Sequence, residues 1–263
     1  MITSTTGRSA IAEPPLAGRR AIVTGGATGI GAAAVEAFTD AGARVVALYH
    51  STPPPERLSA RAEWVRCDVR DRDAVTRVFD EAAASMGGLD ALLHAAGFWR
   101  PATPETLSEE EFDFLVDTNF KATVWTNQAA FALMRDQGGR IINLGSGEAV
   151  HGNPAAPHYA ATKAAVQAWT RSAASAWARH GVTVNALAPA VETPGAQRLR
   201  QHLGPEGAEL LEQKLKALIP LGGALGDPLR DLGPVMVFLA GRGSRFMTGQ
   251  LIAVDGGALM LGA

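Results

Sequence analysis

Short apolar runs alternate with longer stretches of helical spacing along almost the whole chain. Residues 20–24 (RAIVT), 44–49 (RVVALY), 64–67, 89–95, 140–144 (RIINL), 182–187 (VTVNAL) and 251–254 are compact and apolar, which predicts strands buried on both faces. Between them, residues 29–40, 71–86, 108–135 and 157–180 place apolar side chains three and four apart, the spacing of an amphipathic helix. Ser108 followed by Glu111 gives the third of these a capping-box start. Another helix is expected over about residues 228–240, and the stretch at about 193–226 reads as less regular. The segment STPPP at 51–55 excludes a regular element, because successive prolines remove donors and restrict their neighbours.

Strands alternating with helices imply βαβ units and a parallel sheet. Right-handed crossovers then favour an α/β fold, a doubly wound sheet of about seven strands with helices on both faces. A (β/α)8 barrel would need eight evenly spaced units, which the pattern lacks. Residues 19–263 read as a single domain, preceded by a flexible arm over residues 1–18 that contains Pro14 and Pro15.

Composition narrows the function. The 263 residues suffice for a full core, and 47% hydrophobic with 19% charged residues excludes a disordered chain. A net charge of −2 leaves no basic footprint for nucleic acid or anionic lipid. No run approaches the ~20 apolar residues of a membrane span, and the start of the chain lacks the apolar centre of a signal peptide. Cys67 is the only cysteine, so neither an internal disulfide nor a cysteine-based metal site is expected. That usage fits a reducing, cytoplasmic setting.

Candidate chemistry sits at the ends of the predicted strands. The first runs into Thr24-Gly25-Gly26-Ala27-Thr28-Gly29-Ile30-Gly31, where glycines let a phosphate approach the start of the next helix, whose N–H groups and dipole favour an anion. The spacing is neither G-x-G-x-x-G nor a P-loop, and standing alone it would also serve as a plain strand–helix turn. Tyr159 and Lys163 lie four apart on one predicted helix face. A neighbouring ammonium favours the phenolate, so Tyr159 is expected to have a lowered pKa and to act as a general acid/base. Ser146, just beyond the fifth strand, is placed to hydrogen-bond a substrate oxygen.

Taken together, TGGATGIG at 24–31, CDV at 67–69, HAAG at 94–97, Asn119, Ser146, YAATK at 159–163, VNALAPA at 184–190 and TGQLIAVDGG at 248–257 resemble the single-domain short-chain dehydrogenases/reductases, in family order. The resemblance implies a Rossmann-like fold and hydride transfer between NAD(P)(H) and a carbonyl or alcohol. It implies that Tyr159 moves the proton, that Lys163 tunes Tyr159 and holds the nicotinamide ribose, that Ser146 polarises the carbonyl, and that Asn119 completes a proton relay through water. It further implies cofactor contacts from Gly25, Thr28, Gly29, Ile30 and Gly31 at the phosphates, Asp68 and Val69 at the adenine, and Ala95, Ala96 and Gly97 along the adenosine. Pro189, Val191 and Thr193 would serve the nicotinamide, alongside Tyr159 and Lys163. His94, where the family usually has Asn, reads as a structural strand-end histidine.

At the end of the second strand stand Tyr49, His50, Ser51 and Thr52, with no acid to exclude a 2′-phosphate. That favours NADP(H), with NAD(H) as the alternative. Residues 195–226 are expected to form the substrate lid, their Leu199, Leu203, Leu210, Leu211, Leu215 and Leu218 giving a helical apolar face. Phe98, Trp99, Glu148, Val150 and His151 are further pocket candidates. The expected substrate is a small carbonyl or alcohol compound, with a ketone or 3-oxoacyl-type reductase leading and an NAD-dependent alcohol or sugar dehydrogenase second. A dinucleotide-sensing regulator is disfavoured, since a sensor needs no proton donor. Trp125, Trp169 and Trp177 lie on two helices that pair subunits in related enzymes, which implies a homotetramer or dimer.

Overall fold

In the computed structural model, which describes residues 13–260, the seven apolar runs become β1 (Arg20–Thr24), β2 (Arg44–Tyr49), β3 (Glu63–Arg66), β4 (Ala91–His94), β5 (Gly139–Leu144), β6 (Val182–Pro189) and β7 (Leu251–Val254). All neighbours are parallel, in the order β3-β2-β1-β4-β5-β6-β7. The winding reverses between β1 and β4, and that reversal opens a crevice at the carboxyl ends of the strands.

Around the sheet run α1 (Gly29–Asp40), α2 (Arg72–Met86), α3 (Glu109–Leu115), α4 (Ala122–Met134), α5 (Glu148–His151), α6 (Pro157–Trp177), α7 (Pro194–Leu218) and α8 (Gly233–Ala240). Successive strand residues point to opposite faces. Val23, Val45, Leu93 and Ile142 accordingly join a core with Val35 and Phe38 of α1 and Met236 and Leu239 of α8. Ile22, Val46, Leu92 and Ile141 face the other way, against Phe79 of α2, Met134 of α4 and Ala174 of α6. Each large side chain so buried contributes roughly 1.5–3 kcal/mol.

Three segments differ from the sequence reading. The single helix expected over 108–135 is divided by a π-helical turn at Val116–Lys121, with Asn119 fully buried inside it. The stretch read as less regular, though with leucines at helical spacing, holds α7, in which two helical segments meet at Gly204 (φ 69°) ahead of Pro205. Of the expected arm, residues 1–12 lie outside the described residues, whereas Leu16 is buried and donates its N–H to the Ala41 carbonyl at 2.9 Å. Its side chain needs that cover more than the chain needs slack there.

Buried polar pairs fix the strand ends that carry the chemistry. Asn127 of α4 and Asn143 of β5 exchange amide hydrogen bonds at 2.9 and 3.0 Å, and Asn143 also donates to Thr170 Oγ1 of α6 at 3.1 Å. Trp169 Nε1 donates to Asn127 Oδ1 at 3.0 Å. Satisfied networks of this kind hold elements in one arrangement, because breaking any member strands a buried polar group.

Candidate active site

The turn after β1 brings two backbones together. A Cβ on Gly25, which takes φ 64°, would lie 2.9 Å from the Ala96 backbone, and one on Gly31 would lie 2.1 Å from the Gly25 carbonyl oxygen. Only glycine leaves this space at either position. Thr28, the N-cap of α1, makes no side-chain capping bond, and no acidic residue sits in the first turn. The helix start therefore offers unspent N–H donors and a positive dipole end, the features that fit a pyrophosphate.

From this turn a cleft of about 640 Å³ crosses the carboxyl ends of the strands. Its walls include Gly25, Thr28, Gly29 and Ile30, then Tyr49, His50 and Ser51, then Asp68 and Val69, then Ala95, Ala96 and Gly97. Ser146, Tyr159 and Lys163 line its other end, with Pro189, Val191 and Thr193. Of the residues singled out in the sequence, Gly31 and Asn119 stand behind the wall. Glu148, Val150 and His151 sit on α5 and do not line the cleft. The shape and lining fit an extended dinucleotide.

Lys163 is almost wholly buried on α6 and donates from Nζ to the Leu144 carbonyl at 2.8 Å, at the end of β5. Its Nζ lies 5.7 Å from the centroid of the Tyr159 ring. Burial draws the ammonium down to about 8. The sequence reading expected Tyr159 to be lowered by Lys163, and in the chain by itself the shift runs the other way. Burial and the Glu148 carboxylate push the phenol up, and a hydrogen bond with Ser146 only partly offsets them. The Lys163 ammonium is spent on the Leu144 carbonyl, so its pull on the phenolate is weak. The Tyr159 phenol therefore stays protonated at neutral pH.

Ser146 is itself held: its Oγ accepts from the Glu148 N–H at 3.1 Å and its carbonyl accepts from Gln167 Nε2 at 3.0 Å. Asn119 is clamped to one residue of the opposite loop. Its Oδ1 accepts from the Phe98 N–H at 2.7 Å, and its Nδ2 donates to the Phe98 carbonyl at 2.9 Å and to Thr162 Oγ1 at 3.2 Å. Thr162 passes the link to the Tyr159 carbonyl at 2.8 Å. A Cβ on Gly97 would lie 3.2 Å from Asn119 Oδ1 and 3.6 Å from Lys163 Nζ, so both groups abut that glycine.

His94 is buried, with Nδ1 3.1 Å from Thr24 Oγ1 and 2.9 Å from Thr126 Oγ1. Desolvation, aided by the Lys163 charge, lowers it to about 3, so it stays neutral and ties β4 to β1 and α4. Asp68 is engaged by Arg70, with Nε to Oδ1 at 2.9 Å and Nη2 to Oδ2 at 2.6 Å, and these bonds lower its pKa. Sequence reasoning passed over two participants, Arg66 and Thr162, and named Glu148 as a pocket residue without its effect on Tyr159. Arg66 Nε donates to the His50 carbonyl at 3.1 Å, which puts a guanidinium beside the end of β2. Thr162 links Asn119 to Tyr159, and Glu148 raises the Tyr159 pKa. Glu148 is itself raised by burial, and its Oε2 accepts from Asn153 Nδ2 at 2.8 Å. Strand pairing of Tyr49 with Arg66 was the one available signal for the first of these.

Comparison with known proteins adds to this geometry. The family described as enoyl-(acyl carrier protein) reductase matches residues 25–258. The chain is 34% identical to the short-chain reductase protein NovJ of Streptomyces niveus, over 90% of this chain and 92% of that one. It is 32% identical to the 3-oxoacyl-(acyl-carrier-protein) reductase FabG of Thermotoga maritima, over 93% of this chain and 99% of the relative. A crystal structure of a dehydrogenase/reductase from Sinorhizobium meliloti 1021 superposes with a TM-score of 0.82 at 32% identity, covering 94% of this chain and 98% of that one. No helix among the described residues is long and apolar enough to cross a membrane.

Proposed function

The chain belongs to the short-chain dehydrogenase/reductase family, and from that premise we propose that this NAD(P)(H)-linked oxidoreductase is an NADPH-dependent reductase of ketones or 3-oxoacyl-type compounds, cytoplasmic and homo-oligomeric. The observation that carries the reading is the convergence of Ser146, Tyr159 and Lys163 at one end of a cleft whose other end is the glycine turn. When bound, the dinucleotide supplies a hydride at its nicotinamide ring.

Ser146 Oγ and Tyr159 Oη would grip the substrate oxygen from two directions and orient the carbonyl carbon. Tyr159, kept protonated by burial, would deliver its proton as negative charge develops on that oxygen. Lys163 would hold the ribose and resupply the proton, with Asn119 fixing the water path behind Gly97. Pro189, Val191 and Thr193 would bind the carboxamide end, and Gly25, Thr28, Gly29 and Ile30 the phosphates. The Asp68 carboxylate would exchange part of its Arg70 pairing for the adenine amino group.

Preference for NADPH is supported by what surrounds the end of β2. Tyr49, His50, Ser51 and Thr52 bring no carboxylate, while Arg66 lies against the His50 carbonyl and Arg70 lines the cleft. A 2′-phosphate would find hydroxyl donors and the Arg66 guanidinium there, while the Arg70 charge is shared with Asp68. Homo-oligomerisation is supported by Trp125 on α4 and Trp169 and Trp177 on α6, large aromatics that the chain itself covers only in part. Light scattering is expected to give a multiple of the chain mass. A panel of ketones, β-keto esters, quinones and sugars with NADPH and NADH tests the function. Turnover with NADPH is expected to exceed that with NADH by roughly tenfold. Equal rates overturn the cofactor preference, and no turnover with any compound overturns the reductase reading.

A further inference from the structure

A side cavity of about 230 Å³ opens beside the main cleft, lined by Phe98, Trp99, Arg100, Pro101, Arg198 and Leu199. Phe98, Trp99 and Arg198 line both spaces, so the cavity adjoins the cleft. Two guanidinium groups share one ring in its wall. Arg100 Cζ lies 5.3 Å and Arg198 Cζ 5.1 Å from the centroid of Phe98. Arg100 also sits 4.2 Å from the Phe114 ring, which meets Phe98 edge-on at 5.7 Å. The aromatic faces hold both side chains in place.

Among the described residues neither cation is neutralised: no carboxylate lies within 4.0 Å of Arg100 or Arg198. Glu111 feels the Arg100 charge but bonds to Ser108. The contrast with Arg200, on the same helix, is direct: it pairs with Glu192 and Glu212, each at 2.8 Å. Two like charges on one ring repel unless an anion comes between them, and planar guanidinium forks match carboxylate and phosphate oxygens. The site is also rigidly referred to the chemistry, because both backbone groups of Phe98 are bonded to Asn119.

We propose that Arg100 and Arg198 clamp an oxyanion on the substrate, so that the physiological substrate is a carbonyl compound carrying a carboxylate or phosphate beyond a short apolar segment packed on Trp99, Pro101 and Leu199. The proposal rests on the reductase reading above and names its substrate class. Trp99 and Leu199 supply the apolar contact, and the two cations set the distance between oxyanion and carbonyl.

The test has a binding arm and a turnover arm, each with the wild type and with Arg100→Gln and Arg198→Gln. Calorimetric titration of hexanoate, hexyl phosphate and hexanol into the enzyme reads the clamp without catalysis. The acid or the phosphate is expected to bind roughly tenfold tighter than the alcohol, with that ratio collapsing in each variant; the tighter of the two acids identifies the oxyanion. In steady state, keto acids are expected to exceed their methyl esters in kcat/KM by a similar factor, again lost in the variants. Equal binding of hexanoate, hexyl phosphate and hexanol, or a preference that survives both substitutions, overturns the clamp. Turnover of esters and acids alike would accompany that result with the reductase reading intact. Selective binding of the acid with no turnover of any ketone would leave the clamp standing and sink the reductase reading instead.

Discussion

Tyr159→Phe removes the hydroxyl while keeping the ring that Lys163 rests against. Turnover is expected to fall by roughly 10²–10⁴, the usual worth of a positioned acid, while NADPH affinity in a fluorescence titration stays close to wild type. Lys163 loses its proton as pH rises through about 8, so kcat/KM for reduction is expected to be level below that pH and to decline above it. Lys163→Arg, whose charge persists, should carry the decline to higher pH. His94 works through stability. Its folded pKa of about 3 lies below the ordinary 6.5, so the unfolded chain takes up the proton first as pH falls below 6.5. The fold therefore loses about 2 kcal/mol from this residue by pH 5, relative to pH 7. Denaturant melts of His94→Asn should show a flatter acid limb between pH 6.5 and 5. Much at this scale was legible beforehand: the Tyr159–Lys163 spacing and the position of Ser146 led to one wall of one cleft. The direction of the Tyr159 shift was not, because it depends on how deeply the phenol is buried and on Glu148, a residue whose approach no local spacing announces.

At the scale of elements, the strand–turn–helix at residues 20–40 is the most demanding. Gly31→Ala would drive a methyl group into the Gly25 carbonyl, so α1 must shift away from the turn. Thermal unfolding is expected to show a loss of about 1–3 kcal/mol and, more tellingly, little rise in Tm on adding NADPH. Strands and their helices were readable because apolar runs two-faced in burial and three-four spacing have separate periods. The π turn at Val116–Lys121 escaped notice because the apolar spacing hardly changes across it. At its centre the Asn119 amide bonds to both backbone groups of a distant residue, Phe98. In α7 the leucines at helical spacing were legible, but the extent was not: two helical segments meet at Gly204, whose φ of 69° is outside the helical range, just ahead of Pro205.

Across the whole molecule, sheet order puts β1 beside β4, and that single reversal gathers residues separated by more than a hundred positions into one crevice. The alternation of strands and helices announced a doubly wound sheet, but which segment would close the crevice depended on where α7 begins, its Pro194, Gly195 and Arg198 standing in the wall. Arg200 Nη1 meets Glu192, just after β6, and its Nε meets Glu212 on the far side of the kink, each at 2.8 Å. All three side chains remain partly open to solvent, where dissolved ions weaken such attractions. Weakening these pairs is expected to loosen α7, whose first turns line the cleft, and so to ease cofactor release. Stopped-flow release of NADPH should quicken about twofold between about 0.05 and 0.3 M sodium chloride, and should lose that response in Arg200→Met. A cell's osmotic state would then reach the catalytic cycle through one surface cation.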